Sequence, residues 1–212
     1  MNFFEYVIMQ KAEILTLTLR HLEITGMSVL MAVAIGVPVG IMITRFKKSA
    51  GIVLGIANIF QTLPSLALFG LIIPIMGIGY TPSVFVLFLY ALLPIIKNTY
   101  LGIDSVDPAI IDAGKGMGMT DGQILGTIEI PLSLPVIMGG VRISTVINIG
   151  TATIAALIGA GGLGDLIFKG ISMNNTNMIL AGAIPTALLA IGADYLLGWM
   201  ERRLTPTGVS AP

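Results

Sequence analysis

The sequence predicts an all-α, polytopic membrane protein with about five transmembrane helices and one long polar loop between the third and the fourth. Three observations carry that expectation. Hydrophobic residues make up 55% of the 212-residue chain and charged residues only 10%, a balance outside that of soluble domains. The apolar residues gather into runs of about 20 or more, the length a helix needs to cross about 30 Å of hydrocarbon. The main interruption, Asp112 to Pro131 (DAGKGMGMTDGQILGTIEIP), is polar and rich in glycine.

Residues 1–21 mix Glu5, Lys11, Glu13 and Arg20 into an apolar pattern of Phe4, Val7, Ile8, Ile14, Leu15 and, just beyond, Leu22. This predicts an interfacial helix with its charges among lipid headgroups rather than a removable signal peptide, which would carry a basic start and a clean apolar stretch. The transmembrane domain covers 22–200, with spans expected at 22–44, 51–77, 82–101, 133–158 and 177–200, and a polar tail follows at 201–212. Pro64, Gly70 and Pro74 fall in the second run and are expected to kink or interrupt it. The only histidine, His21, has no HExxH pattern around it and reads as an interfacial or solvated side chain rather than a metal ligand. With no cysteine, disulfides, iron–sulfur clusters and thiolate zinc sites are excluded, and the eleven basic and eleven acidic residues cancel, leaving no net field for nucleic acid.

Orientation follows from Lys and Arg, which are retained on the cytoplasmic side of short connections. Arg45, Lys47 and Lys48 place the first connection inside, the uncharged GIGY at 78–81 falls outside, and Lys97 with Lys115 place the polar loop inside. Arg202 and Arg203 put the C-terminus inside, so five spans require an outside N-terminus; Lys11, Arg20 and Lys169 oppose this bias without reversing it. The loop, about 102–132, is too long for an idle connection in a compact fold. Pro108 after Asp107 fits a helix start, Thr120-Asp121 fits a cap for a second short helix through Ile124 and Leu125, and Ile110, Ile111, Met117 and Met119 offer apolar contacts. Two short helices meeting at Gly114, Gly116 and Gly118 would form a compact knob at the membrane surface.

The loop has an acidic residue, Ala and a small residue, then three residues, Gly, nine residues, and Ile-x-apolar-Pro. These are Asp112-Ala113-Gly114, Gly118, Ile128, Ile130 and Pro131. The pattern resembles the signature of ABC-importer permeases, with Asp for the commoner Glu, Gly114 for Ala and Ile130 for Leu. The resemblance implies the fold of type I ABC importer permeases, and implies that Asp112, Ala113, Gly114, Gly118, Ile128 and Pro131 belong to coupling helices seated in a cleft of a cytoplasmic ATP-binding subunit. NIFQTLPSLALFG, LLPIIKNTYLGI, AGKGMGMT and LIGAGGLGDLIF look like the permease subunit of osmoprotectant importers, those for glycine betaine, carnitine, choline and related quaternary amines; LIGAGGLGD also resembles methionine-importer permeases. The resemblance further implies a second permease subunit, identical or paralogous, an extracytoplasmic substrate-binding protein, and a bacterial cytoplasmic membrane as the setting. ATP and Mg would sit on the partner ATPase, since Gly114-Lys115 is followed by Gly116 rather than Ser or Thr and so makes no phosphate loop.

Asn58, Gln61, Thr62 and Ser65 stand at i, i+3, i+4 and i+7, so four polar side chains share one face that should look inward, and Ser144, Asn148 and Thr151 repeat the idea beside Gly139 and Gly140. Two readings compete: lining of a translocation pathway, or hydrogen-bonded packing between helices. Arg142 and Asp194, ionisable groups within the fourth and fifth spans, suit a mutual ion pair, and Tyr195 with Trp199 suits an interfacial aromatic belt. Gly159 to Gly164 matches GxGxxG without the strand–helix–strand context of a dinucleotide site; Gly161, Gly162, Gly164 and Asp165 read instead as a tight re-entrant turn near an external gate. Quaternary ammonium groups are recognised by cages of aromatic faces, and the one Trp and five Tyr here are scattered mostly toward interfaces; if the cargo is the one the resemblance implies, selectivity is expected to reside in the separate binding protein. Two rivals fit less well. An aspartyl protease would pair Asp165 with Asp194 across most of a bilayer, and a secondary transporter would leave the loop signature without a use.

Overall fold

The computed structural model describes residues 2–204, and among them there is no strand. The elements are α1 (Phe3–Met9), α2 (Lys11–Arg45), α3 (Lys47–Thr62), α4 (Ser65–Met76), α5 (Tyr80–Asp104), α6 (Pro108–Gly116), α7 (Asp121–Ile124), a π-turn (Leu125–Glu129), α8 (Ile130–Ala155), a 3₁₀ turn (Ala156–Ile158), α9 (Gly164–Ser172) and α10 (Thr176–Leu204). Four helical stretches are long and apolar enough to cross a membrane: 11–45, 80–104, 121–158 and 176–204. Helices α3 and α4 make a fifth if taken as one span, bent by 99° at their junction. That bend lies at Leu63-Pro64: the proline has no N–H to continue the helix, and it drives the residue before it to an extended ψ of 137°. The Tyr90 hydroxyl donates to the freed Leu63 carbonyl. Gly70 and Pro74, by contrast, lie inside α4 without breaking it.

Helix α5 is the axis of the bundle. Val86, Leu87, Ala91 and Ile95 are wholly enclosed, with α2 on one flank and α8 on the other, and Leu68 and Phe69 of α4 close the same core. The flanking helices reach α5 through glycines. A Cβ on Gly40 would stand 2.5 Å from Thr99 Cβ, and one on Gly140 would stand 2.7 Å from both Asn98 Cβ and the Pro94 carbonyl oxygen. In lipid there is no hydrophobic drive between apolar helices, so close backbone approach and hydrogen bonding supply the attraction.

Three expectations need correction. Residues 1–21 do not form a separate surface helix: α1 stops at Met9, and Lys11 starts one 35-residue helix that runs to Arg45. KAEILTLTLRHL holds no breaker, so nothing separates its charged start from the apolar run; at 1.5 Å per residue the helix is about 52 Å long, well beyond the hydrocarbon. The second short helix of the loop likewise continues through the π-turn into α8. His21 is neither interfacial nor solvated but fully enclosed, its Nε2 2.9 Å from the Ile149 carbonyl oxygen. The expected tail begins inside α10, which ends at Leu204, and its residues 205–212 lie outside the described residues.

Candidate functional site: the coupling segment

Helix α6 starts where Asp107 accepts a hydrogen bond from Ala109 N at 2.8 Å, with Pro108 in the first turn, where its missing N–H costs nothing. The chain reverses at Gly118, whose φ of +83° is favourable only for glycine. Thr120 then opens α7 with a capping box: its hydroxyl accepts from Gln123 N at 3.4 Å, and Gln123 Oε1 accepts from Thr120 N at 2.8 Å. Buried Gly114 lets the two arms close on each other, since a Cβ there would meet Ile128 Cδ1 at 3.0 Å. The result is a compact knob at the end of the bundle that also carries Arg45 and Lys47.

The signature residues divide by role. Asp112, Ala113 and Gly118 lie on the exposed tip together with Met117, which is 75% exposed, while Gly114 and Ile128 are internal packing partners. Pro131 sits at the base, within the first turn of α8. At that base two ion pairs went unread in the sequence. Arg45 forks onto Glu129 of the π-turn, with Nη1 donating to Oε1 at 3.0 Å and Nη2 donating to Oε2, and Lys47 Nζ lies 2.7 Å from Asp104 Oδ1. Glu129 is only 3% exposed, so its charge is tolerable because of its partner. The sole hint in the sequence is an acidic residue set between isoleucines in IEIP.

At the opposite end of α8 the chain makes a close-packed glycine turn. Gly161 and Gly162 have φ of +81° and +90°, and a Cβ on Gly164 would lie 2.0 Å from the Thr153 carbonyl oxygen. Helix α2 holds this turn: Arg20 Nε donates to the Ala160 carbonyl at 3.2 Å, and His21 lies directly beneath Gly162. Asp165 follows in the first turn of α9, half-buried. Burial pushes its carboxyl above the usual range, Lys169 pulls it back and Glu13 adds to the rise.

The two polar stripes fare differently. The break at Pro64 separates Ser65 from Asn58, Gln61 and Thr62, so the four share no continuous face; Asn58 and Thr62 are exposed, Gln61 and Ser65 half-buried. Ser144 and Asn148 pack rather than line an opening: Ser144 Oγ donates to the Ala91 carbonyl at 3.0 Å and Asn148 Nδ2 to the Leu87 carbonyl at 3.1 Å, both on α5. Half-buried Thr151 bonds back to Ile147 of its own helix. Asp194 is held by Arg142, Nε to Oδ1 at 2.5 Å and Nη2 to Oδ2 at 2.8 Å, with Glu201 3.5 Å from Nη1. A carboxylate so engaged is not one half of a proton-sharing aspartate dyad.

Residues 36–206 match the family described as the binding-protein-dependent transport system inner membrane component. Over 197 residues the chain is 47% identical to the choline transport system permease protein OpuBB of Bacillus subtilis, covering 93% of this chain and 91% of that protein. Over 188 residues it is 53% identical to the carnitine transport permease protein OpuCD of Listeria monocytogenes, covering 88% and 84%. In fold it matches a chain of the inward-facing MetNI methionine ABC transporter, with a TM-score of 0.79 at 24% identity over 88% of this chain and 94% of that one. The glycine-cornered knob, the broken second span and these likenesses agree, and the chain belongs to the binding-protein-dependent inner membrane components, the transmembrane permeases of ABC importers.

Proposed function

We propose that this permease carries quaternary-amine osmoprotectants (glycine betaine, carnitine, choline or a close relative) across a bacterial cytoplasmic membrane, driven by a separate ATPase that grips the 108–131 knob from the cytoplasm. The observation that carries the reading is the knob's exposed tip, where Asp112, Ala113, Lys115, Met117 and Gly118 present small and apolar surface with one acidic and one basic group. In this reading the N-terminus lies outside and the C-terminus inside. A second permease subunit, identical or paralogous, completes the passage, lipid surrounds the pair, and an extracytoplasmic binding protein delivers and selects the cargo. ATP and Mg stay on the ATPase. Its closure carries the knobs together and rocks the bundles outward; hydrolysis resets them.

Asn58, Gln61, Thr62, Ser65 and Thr151 are the polar groups proposed to meet cargo in the passage, and the turn of Gly161, Gly162, Gly164 and Asp165 is proposed to stand at the external gate. The test is co-purification with the ATPase, together with uptake of labelled glycine betaine, choline, carnitine and methionine in a strain without its own osmoprotectant importers. Gly118→Arg forces a side chain onto a left-handed backbone at the tip, so it should abolish both ATPase retention and uptake. Normal assembly and uptake by that variant would overturn the coupling assignment, and uptake of methionine alone would overturn the substrate class.

A further inference from the structure

The knob is covalently continuous with two helices of the bundle, α5 before it and α8 after it, but not with α2, the longest helix. Its polar connection to α2 is the fork between Arg45, the last residue of that helix, and Glu129 in the π-turn. Three features make this connection stiff. Glu129 is buried, so parting it from Arg45 would strand a charge away from water. The contact is two-pronged, which fixes angle as well as distance. And Glu129 is oriented by a turn in which Ile130 N donates to the Leu125 carbonyl, five residues back, immediately before Pro131, which has no N–H to offer Thr127 in a regular turn.

Above this fork, α2 is locked to α5 at Gly40, and farther along, in its N-terminal third, Arg20 and His21 hold the glycine turn. A push at the knob therefore has a continuous, close-packed route along α2 to the opposite end of the molecule.

We propose that Arg45–Glu129 is the strut through which the coupling segment moves α2, making both positioning residues for transport. The proposal rests on the reading of 108–131 as the ATPase contact. In proteoliposomes containing the full complex, uptake of labelled glycine betaine and ATP hydrolysis are measured together. Glu129→Gln should assemble with the ATPase and hydrolyse ATP, with uptake per ATP lowered roughly fivefold or more. Arg45→Lys, which keeps the charge and leaves Glu129 paired but through a single prong, should show a smaller loss than Glu129→Gln, between that variant and wild type. Because the chain has no cysteine, an Arg45→Cys/Glu129→Cys double variant can be bridged by a short bis-methanethiosulfonate, each thiolate forming a disulfide to the linker and expelling methanesulfinate. It should be uncoupled when open and recover coupling when bridged.

The strut would be overturned by unchanged coupling in Glu129→Gln, by equal losses in Glu129→Gln and Arg45→Lys, or by a bridged complex that stops transporting because the pair must open in the cycle. Failure of Glu129→Gln to assemble would also overturn it, making the pair a folding element. A wild-type complex that fails to retain its ATPase would instead overturn the functional reading itself.

Discussion

Arg142 and Asp194 face each other from α8 and α10, the guanidinium meeting both carboxylate oxygens at 2.5 and 2.8 Å, and each side chain is only about two-fifths exposed. Breaking such a pair from one side leaves a charge in an apolar span, whereas replacing both partners removes most of that demand, with Glu201, 3.5 Å from Arg142 Nη1, the remaining charge beside the pair. Arg142→Leu and Asp194→Leu should each lower the melting temperature in detergent, and the double variant should recover much of the loss. Additive losses in the double-mutant cycle would contradict a direct pairing.

Adjacent glycines on α8 offer an internal control. A Cβ on Gly140 would press on the Pro94 carbonyl and Asn98 Cβ at 2.7 Å, but one on Gly139 would meet nothing within 4 Å. Gly140→Ala should therefore destabilise the protein by roughly 1–3 kcal/mol through overpacking, with Gly139→Ala close to neutral in the same thermal assay.

Asn148 donates to the Leu87 carbonyl and is fully buried, while Asn58 is exposed. Asn148→Ala should cost about 0.5–1.5 kcal/mol of stability while leaving the apparent KM for uptake unchanged. Asn58→Ala should do the reverse, and a KM shift confined to Asn148→Ala would return that residue to the passage.

Asp165 gives a pH dependence with a definite sign. Its carboxyl titrates above its unfolded value because burial penalises the charge, with Lys169 opposing and Glu13 adding. The folded state thus favours the protonated form, and the group's contribution to stability is present at low pH and lost as pH rises through the elevated folded value. Asp165→Asn should gain in melting temperature relative to wild type as pH climbs from the ordinary carboxylate range toward neutrality. A difference that stays flat with pH would contradict the burial.

Local signals were legible in the sequence and long-range ones were not. Pro108, Thr120 and Gly118 announce the knob because helix starts and left-handed corners are set by neighbours one to three residues away. His21 and Ile149, 128 residues apart, and Arg45 and Glu129, 84 apart, meet only because three helices pack side by side, which no periodicity records. The stripe from Asn58 to Ser65 fails for a related reason: the i, i+7 spacing assumes one unbroken helix, and Pro64 removes it. Ser144 and Asn148 carried two readings of equal weight, lining and packing, and only the position of α5 separates them.

The central claim, that an ATPase in the cytoplasm grips the Asp112–Gly118 tip, is tested most directly by single cysteines at 112 and 117 in this cysteine-free chain, labelled from either side of sealed vesicles with and without the ATPase. Both positions should react only from the cytoplasmic side and become protected when the ATPase is bound. Labelling from the exterior, or labelling that the ATPase leaves unchanged, would contradict the account.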